Sequence, residues 1–382
     1  MAPTRPNKKS KKRTQKKPAN AAHKLVEAAT KLTEGDLESA YSAGKEALDV
    51  TGEGGDYELA ALNLLGQISI EMGEVDEARA YFLRAVELDP EGALDERIGG
   101  GPEKFLWLAQ LSEEGGQDSV NWFDKGAQSL RGQIQALVDI GDKKRSAEQG
   151  TALEEKKQKL GGTLCAVAEV YMTDLSWEAD AEQRCEALVT EAGLVAPDSA
   201  ETWQTVANVR ISQEKIDEAK AALTRSLELW VDLPPLDPNV PAFPTRISLV
   251  RLLLEVEMEQ EAIEVLERLV GDDDQSVEAW YLGGWALFIA GEKAKAKSEA
   301  AQLHEDEEDW KVTWDTARRW LMRCLKLYEA QEYEDERLGE HAKELFASIN
   351  KELGEPPAGA EDEEYDDGWE DAGSDDGEAM EE

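Results

Sequence analysis

A repeated spacing of small and apolar residues constrains the fold of this 382-residue chain more than any other feature of its sequence. In residues 59–92 the positions that carry this spacing are Leu62, Leu65, Gly66, Gly73, Ala78, Phe82, Ala85 and Pro90. Two helices can cross closely only where small residues stand at the crossing, and a proline ends a helix because it has no backbone N–H to donate. The spacing therefore predicts two antiparallel helices joined by a short turn.

The same spacing resembles the 34-residue tetratricopeptide pattern, with Leu62 where that pattern has tryptophan and Ser69 where it has tyrosine. Weaker copies occur along most of the chain, in residues 21–54, 103–130, 154–196, 200–233, 245–271, 277–304 and 310–353. In residues 277–304, Gly291 is expected to form the turn between two helices. Such pairs bury their apolar faces only by stacking on one another. The predicted fold class is an all-α, tetratricopeptide-repeat-like superhelical solenoid over residues 21–354, with about seven or eight helical hairpins.

Three segments interrupt the repeat. Residues 91–102 contain three consecutive glycines followed by Pro102, which predicts a flexible joint. Residues 131–153 are polar and rich in Lys and Glu, which is typical of either a lengthened helix or an exposed loop. Residues 232–244 contain five prolines, which predicts an extended excursion between two repeats.

The charge of the chain is strongly acidic and unevenly distributed. It has 42 Lys and Arg residues against 83 Asp and Glu residues, a formal net charge of −41. Residues 1–20 carry eight basic residues and no acidic one, whereas residues 355–382 carry fourteen acidic residues and no basic one. Neither end has periodic apolar residues, so both are predicted to be disordered tails. The region between them is also acidic, which argues against nucleic-acid binding by the main body and favours a basic partner.

The basic tail contains a run that resembles a nuclear localisation signal, formed by Lys8, Lys9, Lys11, Lys12, Arg13, Lys16 and Lys17. The alternative is a basic arm that only increases solubility or touches RNA. For the acidic tail, a decoy for a basic ligand and a simply solvated chain end both remain open.

The sequence contains no motif that is typical of catalysis or of cofactor or metal binding. There is no glycine-rich phosphate loop with its lysine, and the three histidines are too scattered for a metal site. The three cysteines, Cys165, Cys185 and Cys324, are widely spaced, which favours reduced packing residues in a reducing compartment. No run of apolar residues is long enough to span a membrane. We therefore expect no catalytic site, no metal, no cofactor and no membrane association.

Function is then expected on the inner surface of the solenoid, which the first helix of each pair lines. The residues predicted to face inward are Asn63, Gln67, Glu71, Gln204, Asn208, Arg251, Glu255, Glu278, Tyr281 and Trp285. Because this set is mostly neutral or acidic, it disfavours the basic clamp that grips the carboxylates of heat-shock chaperones. Carboxylates with neighbouring aromatic rings suit an extended basic peptide. Packing in the core is the alternative for Trp285, and an ordinary solvated surface is the alternative for the glutamates.

Together, the Lys-rich start, the degenerate repeats, the acidic body and the tail EDEEYDDGWEDAGSDDGEAMEE resemble the fungal dedicated assembly chaperones of ribosomal protein four (L-four) of the large subunit. The resemblance implies a non-enzymatic chaperone that captures the newly made ribosomal protein one-to-one and shields its long basic internal loop. It also implies that the protein shuttles between cytoplasm and nucleus. Import receptors would then be further partners. A histone-type acidic chaperone and a tetratricopeptide adaptor for a heat-shock chaperone remain alternatives.

Overall fold

A computed structural model describes residues 19–301 and 309–355, and every regular element within these two ranges is a helix. The chain divides after Asp232 into two compact units. The predicted localisation signal lies outside the described residues. So do both predicted tails, except for Ala19 and Asn20 of the first and Glu355 of the second. The first helix begins at Ala19, two residues earlier than predicted, because its alanine-rich start favours helix and Ala21 is buried.

Unit 1 consists of five consecutive helical hairpins in its described part. Each odd-numbered helix packs against the helix that follows it. A short 3₁₀ turn, Glu96–Ile98, lies between the second and third hairpins. The ten helices are α1 (Ala19–Thr33), α2 (Leu37–Thr51), α3 (Glu58–Glu71), α4 (Val75–Leu88), α5 (Glu103–Gln110), α6 (Gly116–Asp139), α7 (Ala147–Met172), α8 (Ala181–Val195), α9 (Ala200–Ser212) and α10 (Ile216–Glu228).

Unit 2 consists of two hairpins and a final helix in its described part. The final helix packs against both helices of the second hairpin. The five helices are α11 (Phe243–Glu255), α12 (Glu259–Asp272), α13 (Val277–Ala301), α14 (Asp309–Ala330) and α15 (Glu336–Leu353). The described units confirm the predicted all-α, tetratricopeptide-repeat-like solenoid class.

The α3–α4 hairpin shows why the repeat needs its small residues. Phe82 is fully buried against Gly66, where an added Cβ atom would stand only 2.5 Å from the ring carbon Cζ. Gly73 forms the turn with a φ of +77°, a conformation that residues with a Cβ rarely adopt. The glycines at 66 and 73 therefore serve two different needs, close helix approach and a left-handed turn.

The prediction for residues 277–304 is wrong. Instead of two helices joined at Gly291, the structure has the single continuous helix α13. An added Cβ at Gly291 would lie 2.3 Å from Cδ1 of Trp314, so this glycine allows α14 to approach closely. A glycine inside a helix costs only about 1 kcal/mol, which the packing of a large aromatic side chain can offset.

Residues 91–102 are also more ordered than a flexible joint. The side chain of Lys104 is fully buried and its Nζ lies 2.8 Å from Oδ2 of Asp89, which is itself almost fully buried. Asp89 also accepts hydrogen bonds from the backbone N–H groups of Ala93, Leu94 and Gly101. One buried carboxylate therefore ties both ends of the segment together.

The structure of the other two interruptions agrees with the interpretation of their composition. Residues 131–153 form the end of α6, a short connection and the start of α7, so that both neighbouring helices are lengthened. The proline-rich segment 232–244 stays free of helix until α11 begins at Phe243, and its Leu236 is almost completely exposed.

Candidate functional site

The predicted inward-facing residues divide between the two units, and each set is described within its own unit. Asn63, Gln67 and Glu71 lie on α3, and Gln204 and Asn208 lie on α9. The other five residues lie on α11 and α13 of unit 2. We call the side chains of α3, α7 and α9 in unit 1, and those of α11 and α13 in unit 2, the first-helix surfaces.

A cavity of about 290 Å³ opens on the first-helix surface of unit 1. Its lining comes from separate segments and consists of Asn63, Gln67, Glu96, Gly99, Gly100, Glu103, Leu130, Glu155, Lys156 and Lys159. The structure thus brings two of the predicted residues, Asn63 and Gln67, to one cavity. Glu71, at the end of the same helix, is exposed to solvent.

The wall of this cavity is held by the segment that precedes α5. The Nδ2 atom of Asn63 donates a hydrogen bond to the carbonyl oxygen of Gly99 at 2.5 Å, whereas its buried Oδ1 atom has no donor. At Gly99, an added Cβ would lie 2.6 Å from the Cα of Ala60, so the segment packs directly on α3. The buried Lys104–Asp89 pair holds this segment in place. The pair therefore supports the wall of the cavity.

Two lysines that were not among the predicted residues line the same cavity. Lys156 pairs with Glu96 at 2.6 Å, and Lys159 pairs with Glu103. Both lysines lie on α7, whose repeat spacing is too degenerate to reveal which side chains face inward. The cavity therefore contains carboxylates that are already bound to internal lysines.

The neighbouring helices α7 and α9 add another carboxylate that the sequence did not single out. Glu169 of α7 is exposed to solvent, yet partial desolvation of its carboxyl group by the surrounding protein raises its pKa. It lies near Cys165, as does Glu201 of α9. Asn208 is half-buried, whereas Gln204 is only 6 % exposed and its Nε2 atom has no acceptor. Gln204 is therefore a buried residue between helices and is not presented to a partner.

In unit 2, the predicted charged residues lie on two neighbouring helices. Arg251 of α11 forms an ion pair with Glu278 of α13, and the arginine side chain is 63 % exposed. Glu255, one turn further along α11, is exposed. The expected acidic surface is thus partly neutralised at Glu278 and open at Glu255.

The predicted aromatic residues, Tyr281 and Trp285, stack on each other with ring centroids 6.1 Å apart. His341 of α15 packs edge-on against both rings, and its Nδ1 lies 2.7 Å from the hydroxyl oxygen of Tyr281. Burial raises the pKa of Tyr281, and the nearby Cys324 and Asp335 raise it further. These rings help to pack α15 onto α13, and both remain partly accessible.

Among the described residues, no group of three or more His, Cys, Asp or Glu side chains is placed to hold a metal ion. The three cysteines are buried and free, and burial raises the pKa of Cys165 to about 11 and that of Cys324 to about 12. None of the described helices combines the length and apolar content that a membrane-spanning helix requires.

Comparisons with known proteins agree on one group of relatives. The tetratricopeptide repeat family model matches residues 59–91. A protein from Emericella nidulans, described as a probable assembly chaperone of rpl4, is 47 % identical over 372 residues, covering 93 % of this chain and 91 % of the relative. A Schizosaccharomyces pombe protein with the same description is 33 % identical, covering 91 % of this chain and 95 % of that protein.

A solved structure supports the same relationship. It is described as the assembly chaperone of RpL4 (Acl4), is 58 % identical to this chain and superimposes with a TM-score of 0.69. The match covers 73 % of this chain and 99 % of the solved one. With sequence, repeat pattern and three-dimensional structure in agreement, this chain belongs to the fungal assembly chaperones of rpl4, a family built from tetratricopeptide repeats.

Proposed function

We propose that this chain binds a newly made basic ribosomal protein of the rpl4 type through its first-helix surfaces, keeps it soluble and delivers it to nuclear pre-ribosomes. The role is non-enzymatic. The observation that carries this proposal is the 47 % identity, over almost the whole chain, to a relative named for the assembly of rpl4. The excess of acidic residues, which gives the chain a net charge of −41, supports a basic client.

Electrostatic attraction would bring the client to the first-helix surfaces. Glu71 and Glu255 are exposed and lack an ion-pair partner among the described residues. Ionised carboxylates at these positions can pair with lysine and arginine side chains of an extended segment. Each exposed pair contributes only about 0–1 kcal/mol, so several pairs must act together.

Basic side chains of the client would be able to replace the basic partners in the internal ion pairs. In the free chain, Lys156 and Lys159 pair with Glu96 and Glu103, and Arg251 pairs with Glu278. A basic client side chain can take the place of an internal base at little cost, because one partly exposed pair replaces another. The accessible parts of Tyr281 and Trp285 would add cation–π contacts with arginine and fix the position of the segment.

Delivery to the nucleus is part of the same proposal. The basic run from Lys8 to Lys17 would recruit import receptors, so that chaperone and client travel as a one-to-one complex. At the pre-ribosome, ribosomal RNA would compete for the basic segment with a far higher density of negative charge.

The test is a binding measurement with a variant that reverses three carboxylates, Glu71→Lys, Glu255→Lys and Glu278→Lys. The matched control reverses the exposed carboxylates Asp49, Glu267 and Glu344, which lie on α2, α12 and α15. We expect the first variant to bind the purified ribosomal protein at least about tenfold more weakly, equivalent to about 1.4 kcal/mol. The control keeps most of the affinity, because it changes the net charge equally away from the first-helix surfaces.

Equal affinity of both variants would remove the first-helix surfaces from the proposal, since net charge alone would then explain the attraction. The two alternative functions are tested in the same assay. Core histones that bind as tightly as the ribosomal protein would indicate a general acidic chaperone. A short acidic carboxy-terminal peptide that binds next to Asn63, Lys156 and Lys159 would indicate an adaptor for a heat-shock chaperone.

A further inference from the structure

Helix α14 differs in charge from the strongly acidic chain around it. It carries three acidic residues and five basic ones, which are Lys311, Arg318, Arg319, Arg323 and Lys326. At 100° per residue, Lys311, Arg319, Arg323 and Lys326 fall on one side of the helix. Lys311, Arg319 and Lys326 are exposed, and the side chain of Arg323 is 33 % exposed. We call these four residues the α14 ridge.

The positive charge of the α14 ridge is only partly neutralised. Arg319 pairs with Asp315 at 2.7 Å, and Arg323 lies 3.4 Å from Asp274. Lys311 and Lys326 form no ion pair with any residue in 19–301 or 309–355. Among the described residues, the α14 ridge thus keeps two basic charges without an ion-pair partner.

The end of the described chain lies beside this ridge. Helix α15 ends at Leu353, and the carbonyl oxygen of Gly354 accepts a hydrogen bond of 3.1 Å from Nη1 of Arg318. Arg318, only 9 % exposed, is the neighbour of Arg319 in the ridge. The residues that follow therefore begin close to the point where Gly354 contacts α14.

The sequence beyond this point has the complementary charge and sufficient length. Residues 356–382 contain thirteen acidic residues and no basic one. At roughly 3.3–3.6 Å per residue they can span up to about 90 Å, whereas the ridge is only about 22 Å long. The acidic run 305–309 also adjoins α14, but it has only five acidic residues and joins the helix at its first residue, whereas segment 356–382 is long enough to reach every position of the ridge.

We propose that residues 356–382 bind back onto the α14 ridge within unit 2. Because the segment is tethered at Gly354, its effective concentration at the ridge is in the millimolar range, and several weak pairs suffice to hold it. Bound in this way, the segment covers the exposed basic strip of the protein and prevents nucleic acid from using it. Since the contact consists of exposed charges, salt weakens it.

The experiment uses the full-length, ¹⁵N-labelled protein and follows segment 356–382 by NMR. The indole N–H of Trp369 and the backbone amides of Gly368, Gly373 and Gly377 serve as reporters. The ridge variant is K311Q/R319Q/K326Q, and the control K143Q/K144Q/K220Q removes three positive charges from unit 1. We expect the reporter signals to shift and sharpen in the ridge variant and to remain as in the wild type in the control. Raising the salt from about 0.05 M to about 0.5 M should move the wild-type signals to the positions of the ridge variant.

Reporter signals that are the same in the wild type and the ridge variant would overturn the proposal. If those signals respond to salt but not to the ridge variant, the acidic segment is held elsewhere, for example by the basic residues 8–17. Unchanged reporter signals together with a loss of affinity for a short RNA oligonucleotide in the ridge variant would show that the ridge is open in the wild type, which also contradicts the proposal. Circular dichroism of both variants checks that the substitutions leave the helices intact.

Discussion

Replacing Lys104 by methionine should destabilise unit 1, because it leaves the buried carboxylate of Asp89 without its counter-ion. Lys104 is fully buried and Asp89 is 3 % exposed, so water cannot replace the lost ammonium group. Breaking a buried ion pair by removing one partner costs about 3–5 kcal/mol. Asp89 keeps three backbone N–H donors, which places the expected loss near the lower end, at about 3 kcal/mol.

The pH dependence gives the same prediction an independent check. Burial alone would raise the pKa of Asp89, but the hydrogen bond and charge of Lys104, with the backbone N–H groups of Ala93 and Leu94, hold it below its ordinary value. A depressed carboxyl pKa stabilises the folded state above the ordinary pKa, and this contribution is lost as the pH falls through the folded pKa. The stability difference between the wild type and Lys104→Met should therefore shrink below about pH 4.

The assay is urea unfolding of the full-length protein by circular dichroism, together with hydrogen exchange of residues 91–102. Faster exchange is expected in this segment, since Asp89 and Lys104 tie its two ends. The double variant D89N/K104M serves as the control, because it removes both charges and should recover part of the lost stability. Two results would contradict the proposed role of the buried ion pair. One is a loss below about 1 kcal/mol for Lys104→Met, and the other is a double variant that loses as much stability as Lys104→Met and Asp89→Asn lose together.

Two further substitutions test the packing and the electrostatics of the helices. Glu169→Gln should raise the melting temperature slightly at pH 7, because partial burial disfavours the charged form of Glu169. This gain should shrink as the pH falls through the raised pKa of Glu169 and vanish below the ordinary pKa of a glutamate. An unchanged or lower melting temperature at pH 7 would contradict this. Gly283→Ala should cost about 1–3 kcal/mol, because the new Cβ would lie 2.0 Å from Cε3 of Trp320. The matched control Gly271→Ala has open space around its Cβ and should be neutral or slightly stabilising, so equal losses in the two variants would refute the packing argument.

The fold was largely predictable because its signal is local. Gly66, Ala78 and Phe82 stand at fixed distances along the chain, and each is explained by one helix crossing. Gly291 shows where such a signal becomes ambiguous: a glycine permits both a left-handed turn and a close helix contact, and only the position of Trp314 on the next helix distinguishes them. The local pattern contains no information about that distant ring.

The candidate site was less predictable because its contacts join distant residues. The pairs Lys156–Glu96 and Tyr281–His341 each connect positions 60 residues apart. Lys104 and Asp89 illustrate a second limit, since charged residues in a sequence are normally assigned to the solvent, whereas this pair is buried. Gln204 was misassigned for a related reason. The position of a residue within the repeat indicates which face of the helix it lies on, but it does not indicate how deeply its side chain is buried.

Gentle affinity purification of the tagged full-length chain from its source cells would reveal whether its client is a basic ribosomal protein of the rpl4 type. We expect one basic large-subunit ribosomal protein at close to one copy per chaperone, released as the salt concentration rises. Recovery of histones, or of a heat-shock chaperone without a ribosomal protein, would contradict the proposed client while leaving the helical-repeat fold unchanged.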